Sequence, residues 1–273
     1  MPPHASPAPA TDSVPHRAPD KGLRGGTLGF LSSLVIAVSS TAPAYSLAAT
    51  LGLIVAVSGV RTPGMLIGAF LPMLCIAVAF RELNKVEPDC GTTFAWATRA
   101  FGPRTGWLGG WGIIAADVIV MASLAQVMGR YALLLVGAQG LASQTAPVAV
   151  VGVLFIAVMT GVCYRGIEVS ARLQQVLLAI EVLGLLLLVA FAVIQTMRGH
   201  ALPGHATPSL SWLNPWPGSF TGLSDSFLLA VFIYWGWDAA VSVNEETKDS
   251  ARTPGRAATS ATLVLVAVFA LIS

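Results

Sequence analysis

Seven stretches of this chain are apolar over lengths that cross, or nearly cross, a lipid bilayer, and few folds are compatible with that pattern. A transmembrane helix needs about 20 mostly apolar residues to span about 30 Å of hydrocarbon. The stretches cover residues 28–57, 63–81, 107–136, 147–164, 173–195, 225–243 and 258–273, separated by charged or Gly/Pro-rich segments. Composition agrees, because only 10% of residues are charged against about a quarter in a soluble domain. A water-soluble fold could not cover its surface with so few charges. In a bilayer that need disappears. The expected class is therefore an all-α integral membrane protein with several crossings.

Residues 1–26 are a different material, rich in Pro, Ala and His and without an apolar run. A cleaved secretory signal needs an apolar core of about 7–15 residues. The segment reads as a disordered cytoplasmic tail, and residues 27–273 as the transmembrane domain. Lys and Arg set the orientation. With the N-terminus inside, twelve basic residues fall on the inner side, among them Arg24, Arg81, Arg165 and Arg256. Only Arg61, Arg130 and Arg198 fall toward the outer side. The expected location is the plasma membrane, with the N-terminus cytoplasmic.

Two connections stand out. Residues 85–106 mix Phe94, Trp96 and Phe101 with Arg99 and Arg104, a pattern expected of a short interfacial helix. Residues 197–224 carry Pro, Gly, Trp212 and Trp216, and read as an outer cap lying on the membrane. Cys75, Cys90 and Cys163 lie too far apart for a metal motif. No phosphate-binding Gly-rich loop occurs, so ATP is not the expected energy source, and no cofactor is expected. All four histidines lie in the tail or the outer loop, which leaves an intramembrane enzyme without its base. No feature points to nucleic acid.

The first span contains Ser39-Ser40-Thr41-Ala42-Pro43 near its middle. Pro43 lacks an N–H and clashes with the carbonyl four residues earlier, so a helix breaks there. In lipid, backbone groups are left open only against protein or a water-filled cavity. The sixth span is faulted by Gly236 within Tyr234-Trp235-Gly236-Trp237-Asp238. A carboxylate at membrane depth is costly and usually functional. The two faulted spans run in opposite directions, as in transporters built from inverted repeats of five helices, where half-helix ends hold substrate and ions. A substrate carboxylate is expected on backbone N–H groups around Ser40–Ala42, and its amine near carbonyls of Tyr234–Gly236.

Asp117 and Glu181 are further carboxylates inside spans. With Asp238 they are the proton-coupling candidates; the alternative for each is a hydrogen-bonded helix contact. Arg130, one turn after Gln126, reads either as an outer gate or as an arginine whose charge reaches the interface. Glu245, Glu246 and Arg252 form either an inner gate or a solvated loop. Gly109, Gly110 and Gly112 are expected where helices pack closely.

Three stretches resemble the amino acid–polyamine–organocation superfamily of permeases. They are the Ser/Thr/Pro break with Tyr45; Pro88-x-x-Gly91-x-x-Phe94-x-Trp96 with Phe101-Gly102-Pro103 and Gly109-Gly110-Trp111; and Gly236-Trp237-Asp238-Ala239 with Asn244-Glu245-Glu246 and Arg252. The resemblance implies a leucine-transporter-like fold of two inverted five-helix halves. It implies secondary transport of an amino acid or polyamine, driven by protons or by an exchanged substrate. Ser39, Ser40, Thr41, Ala42, Tyr45 and Asp117 would face Tyr234, Trp235, Gly236, Trp237 and Asp238 across the substrate site. Many relatives carry glycines where this chain has Ser-Ser-Thr. Against that template the chain is expected to be a fragment or truncated product of about seven spans, ending at Ser273 with the second repeat incomplete. A non-transporting sensor or assembly partner is the alternative.

Overall fold

A computed structural model describes residues 22–200, 209–214 and 220–273. The expected tail over 1–26 lies mostly outside these residues, as does Trp216 of the expected outer cap. Apart from one isolated bridge, Leu28 to Thr247, the ordered elements are helical.

The first apolar run forms α1 (Phe30–Thr41), α2 (Pro43–Ser46), a π-helical turn (Leu47–Leu51) and α3 (Gly52–Ser58). A tight turn at Gly59–Arg61, opened by Gly59 at φ 56°, leads into α4 (Thr62–Val86). The helical stretch Phe30–Val86 has 57 residues, about 85 Å if straight, so the turn folds it into two passes. Next come α5 (Thr92–Phe101), α6 (Pro103–Leu135), the short α7 (Gln139–Ala142), α8 (Thr145–Tyr164) and α9 (Ile167–Met197). The last described elements are α10 (Phe220–Phe232), α11 (Ala239–Ser242) and α12 (Thr253–Ile272). Beyond Phe30–Val86, α6, α8, α9 and α12 are each long and apolar enough to cross a membrane.

The core lies where α1, α4, α10 and α12 meet. Ala37, Ala69, Ala77, Ala257, Ala258 and Ala261 are all fully buried there. Small side chains let helix axes approach, which replaces the hydrophobic drive that lipid does not supply. Larger groups, Leu66, Leu265, Phe269 and Tyr234, fill the spaces between them. By contrast, α9 turns Leu183, Leu187 and Phe191 outward, about 60% exposed each. An outer shell this apolar suits hydrocarbon and not water.

The segment that leads into α1 is tied to the segment that follows α11. Thr27 and Leu28 donate backbone N–H groups to the Glu246 carbonyl at 2.9 and 3.0 Å, and Lys248 N–H returns to Leu28 O at 2.8 Å. Beside them the buried Asn84 donates to the carbonyls of Ser250 (2.8 Å) and Ala251 (3.2 Å), and accepts from Asn244 at 2.7 Å. These bonds satisfy backbone groups where the chain leaves its helices. α5 is the amphipathic connector anticipated at 85–106; Trp96 is buried and donates to Glu87 O at 3.0 Å, while Phe94 and Phe101 stay exposed.

Glycine packing differs in place from the sequence expectation. A Cβ on Gly112 would touch nothing within 4 Å, and one on Gly109 would make only ordinary contact, so among these three only Gly110 is tight, against Phe94. A close backbone contact of this kind lies between α6 and α8, where a Cβ on Gly152 would stand 2.5 Å from Ala125 O and one on Gly129 closer still to Val148 O. Gly152→Leu is expected to push α8 off α6 and destabilise the chain by about 1–3 kcal/mol. Thermal unfolding in detergent should show a lower midpoint for it, but not for Gly161→Leu, whose added Cβ meets nothing within 4 Å. Equal midpoints would contradict this packing.

Candidate functional site

The chain breaks where Pro43 dictates. α1 ends at Thr41, Ala42 takes the left-handed conformation (φ 47°, ψ 67°), and Pro43 opens the next helical segment. A non-glycine residue with positive φ is uncommon and persists only where its surroundings enforce it. Here local hydroxyls do so. Ser46 Oγ donates to Thr41 O at 2.8 Å, Thr41 Oγ1 donates to Ala37 O at 3.1 Å, and Ala42 N–H donates to Ser39 O at 3.0 Å.

The second break lies between α10 and α11. The chain from Ile233 to Asp238 forms turns, and Gly236 sits at φ 120°. The two breaks touch through this glycine: a Cβ there would stand 2.6 Å from Ser40 O and 2.8 Å from Thr41 N. No side chain fits between the two main chains at that point.

Around the contact lies a cavity of about 430 Å³. The first break contributes Ser40, Thr41, Ala42 and Tyr45; the second contributes Trp235, Gly236 and Asp238; α6 contributes Asp117. Phe232, Val120, Leu124 and Ser242 also line it, and these were not singled out from sequence. On α6 the signal was available: Ile113, Asp117, Val120 and Leu124 recur at three- and four-residue spacing on one helix face. Tyr45 is held by a 2.7 Å hydrogen bond between its hydroxyl and that of Ser123, and Phe232 packs edge-on to Trp235 at 5.5 Å.

Three expected site residues lie elsewhere. Tyr234 is fully buried; its hydroxyl donates to Leu66 O at 3.0 Å and its ring meets Phe70 and Phe269. Trp237 is 3% exposed and packs edge-on to Phe80. Both belong to the core behind the cavity. Ser39 turns to α9, where its hydroxyl donates to Gln174 Oε1 at 2.8 Å. The backbone donors expected around Ser40–Ala42 lie at the C-terminal end of α1, an end that presents carbonyls rather than N–H groups.

Glu181 does not line the cavity. From α9 it reaches the start of the second half-helix, where its Oε1 accepts the Ala44 N–H at 2.6 Å. At the other end of the bundle, Glu245 Oε1 accepts the Cys90 N–H at 3.0 Å, Glu246 contributes its carbonyl to the tie with Thr27 and Leu28, and Arg252 precedes α12. Asp89, Cys90 and Glu245 bring metal-binding atom types within 4.8 Å of one another, but Asp89 and Glu245 already hold the turn by accepting the N–H groups of Gly91 and Cys90.

Comparison with known proteins places this geometry. The chain is 24% identical over 227 residues to a branched-chain amino acid permease of Lactococcus lactis subsp. cremoris, covering 77% of this chain and 48% of that protein. It is 27% identical over 259 residues to an uncharacterized transporter of Mycobacterium tuberculosis, covering 95% and 54%. A methylthioribose transporter of Bacillus subtilis is 23% identical over 201 residues, covering 68% and 41%. The chain thus spans about half the length of the curated relatives it matches. The amino acid permease profile matches residues 28–273. A membrane-type helical bundle, two broken helices around a cavity and this match over nearly all of the chain lead to one assignment: the protein belongs to the amino acid permease family, within the amino acid–polyamine–organocation superfamily.

Proposed function

We propose that this chain forms the substrate-holding part of a secondary active carrier for amino acids or polyamines in the cell membrane, with its N-terminus cytoplasmic. The observation that carries this reading is the cavity at the meeting of two helix breaks, in a chain of a permease family. Broken helices leave main-chain ends at membrane depth, and such ends are tolerated where they line a site. The breaks then belong to the first helices of two inverted five-helix repeats. Substrate lies among Ser40, Thr41, Ala42, Tyr45, Asp117, Trp235, Gly236 and Asp238.

Alternating access requires that one end of the site open while the other closes. The tie between Thr27, Leu28 and Glu246–Lys248 supports a role as the cytoplasmic gate, because it joins the lead-in of α1 to the segment after α11 through hydrogen bonds that can part without unfolding a helix. Glu245 and Arg252 flank it. Proton movement or substrate exchange supplies the coupling, with Asp117, Asp238 and Glu181 as the groups able to carry a proton.

Site occupancy is testable by protection. Ser40→Cys, in a chain whose Cys75, Cys90 and Cys163 are replaced by alanine, is expected to react with a small cationic thiol reagent. At about ten times Kd of a bound solute the rate should fall about tenfold by mass action, with leucine, lysine and cadaverine as the solutes offered. A rate unaffected by all three would contradict the site. Binding without flux into proteoliposomes would favour a sensor over a carrier.

A further inference from the structure

We propose that an anionic phospholipid docks beside α5, with its phosphate on Arg104 and an acyl chain in the groove between Phe94 and the Trp107–Trp111 pair. This goes beyond the carrier reading and does not depend on what the central cavity binds. α5 folds back along the first turns of α6. A Cβ on Gly106 would stand 2.8 Å from Thr98 Cα, and one on Gly110 3.0 Å from the Phe94 ring. These two glycines let the helices touch, and a groove of about 460 Å³ opens along the seam. Phe94, Trp107, Gly110, Trp111 and Ile114 line it, and no charged residue does among the described ones. Its size is that of a small-ligand cleft, and its lining is that of a site for hydrocarbon.

The charge stands at one end of this groove. Trp107 also lines a shallower hollow with Pro103, Arg104 and Leu108, so the two hollows meet at its ring. Among the described residues Arg104 makes no ion pair, whereas the nearby Arg99 is taken by Glu87 at 2.9 Å. The indoles of Trp107 and Trp111 stack at 6.5 Å with 19° between their planes, and each is 59% exposed. They form a flat apolar wall that leads away from an unpaired guanidinium.

Depth agrees with a lipid as the occupant. α6 has 33 residues, about 50 Å of helix, against about 30 Å of hydrocarbon. A charged side chain and indoles mark its first turns as interfacial. Arg104 then lies among headgroups, and Ile114, about 15 Å further along the helix, lies among acyl chains. A guanidinium binds phosphate through paired hydrogen bonds. The choline of a zwitterionic lipid offsets its phosphate, so the preference is for a headgroup with net negative charge.

The test places the purified chain in phosphatidylcholine bilayers with a minor lipid brominated on its acyl chains, either phosphatidylglycerol or phosphatidylcholine. Bromine quenches indole fluorescence on contact. The share due to Trp107 and Trp111 is the difference between wild type and the Trp107→Phe/Trp111→Phe chain. Brominated phosphatidylglycerol is expected to quench that share at about fivefold lower content than brominated phosphatidylcholine, the enrichment that one arginine gives at a membrane surface. Arg104→Gln should remove the preference and Arg104→Lys should keep part of it. Arg165→Gln, at a different basic position, should leave it intact. Equal quenching by the two lipids would overturn the proposal. So would an equal loss in Arg165→Gln and Arg104→Gln, which would mark a diffuse surface charge. Quenching by neither lipid would show the groove filled by protein and would overturn it too. The comparison of the two lipids on wild type decides even if a variant does not fold, and it leaves the central cavity to be judged by Ser40→Cys.

Discussion

The contact between Gly236 and the main chain of Ser40–Thr41 sets the arrangement of this protein's centre. Two polypeptide backbones, each interrupted at mid-helix, approach so closely that even a methyl group would stand 2.6 Å from a carbonyl oxygen. Backbone can remain open inside a membrane protein only where other protein or a polar cavity meets it. The first break is satisfied by its own hydroxyls and by α9. Hydroxyls of Thr41 and Ser46 take up carbonyls on one side, and Glu181 takes up the first donor of the following half-helix. What remains unfilled beside the contact is the cavity.

Around this centre the other elements have distinct duties. α4 and α12 clamp α1 and α10 through alanine-lined surfaces, so the broken helices are held by unbroken ones. α6 passes along the cavity and contributes Asp117, while α9 reaches the first break from another side with Gln174 and Glu181. The tie between Leu28 and Thr247 links the two broken segments again, away from the cavity. The bundle is thus joined at two such points, one of close backbone contact and one of a few hydrogen bonds.

Much of this was legible in the sequence because the bilayer simplifies the code. Apolar length marks helices, and Pro43 and Gly236 mark the faults in them. The amphipathic stretch around Trp96 reads as the connector it is. What the sequence did not disclose is direction. Tyr234, Trp235 and Trp237 are neighbours of one chemical type, yet only Trp235 faces the cavity, because Gly236 turns the chain between them. Ser39 and Ser40 diverge in the same way, one toward Gln174 and one toward the cavity. Glycine packing was also misplaced. Gly129 and Gly152 face the neighbouring helix closely, whereas Gly112 faces open space, and periodicity alone cannot distinguish them. The reach of Glu181 to Ala44, 137 positions away, depends on tertiary placement and has no local signature.

Thermal unfolding of Gly236→Ala in detergent tests the central contact most directly, with Gly184→Ala as the reference because its Cβ would meet nothing within 4 Å. The account predicts a midpoint several degrees below that of the reference, about 1–3 kcal/mol for a forced methyl group. A Gly236→Ala chain that melts with the reference would show that the two breaks do not depend on each other.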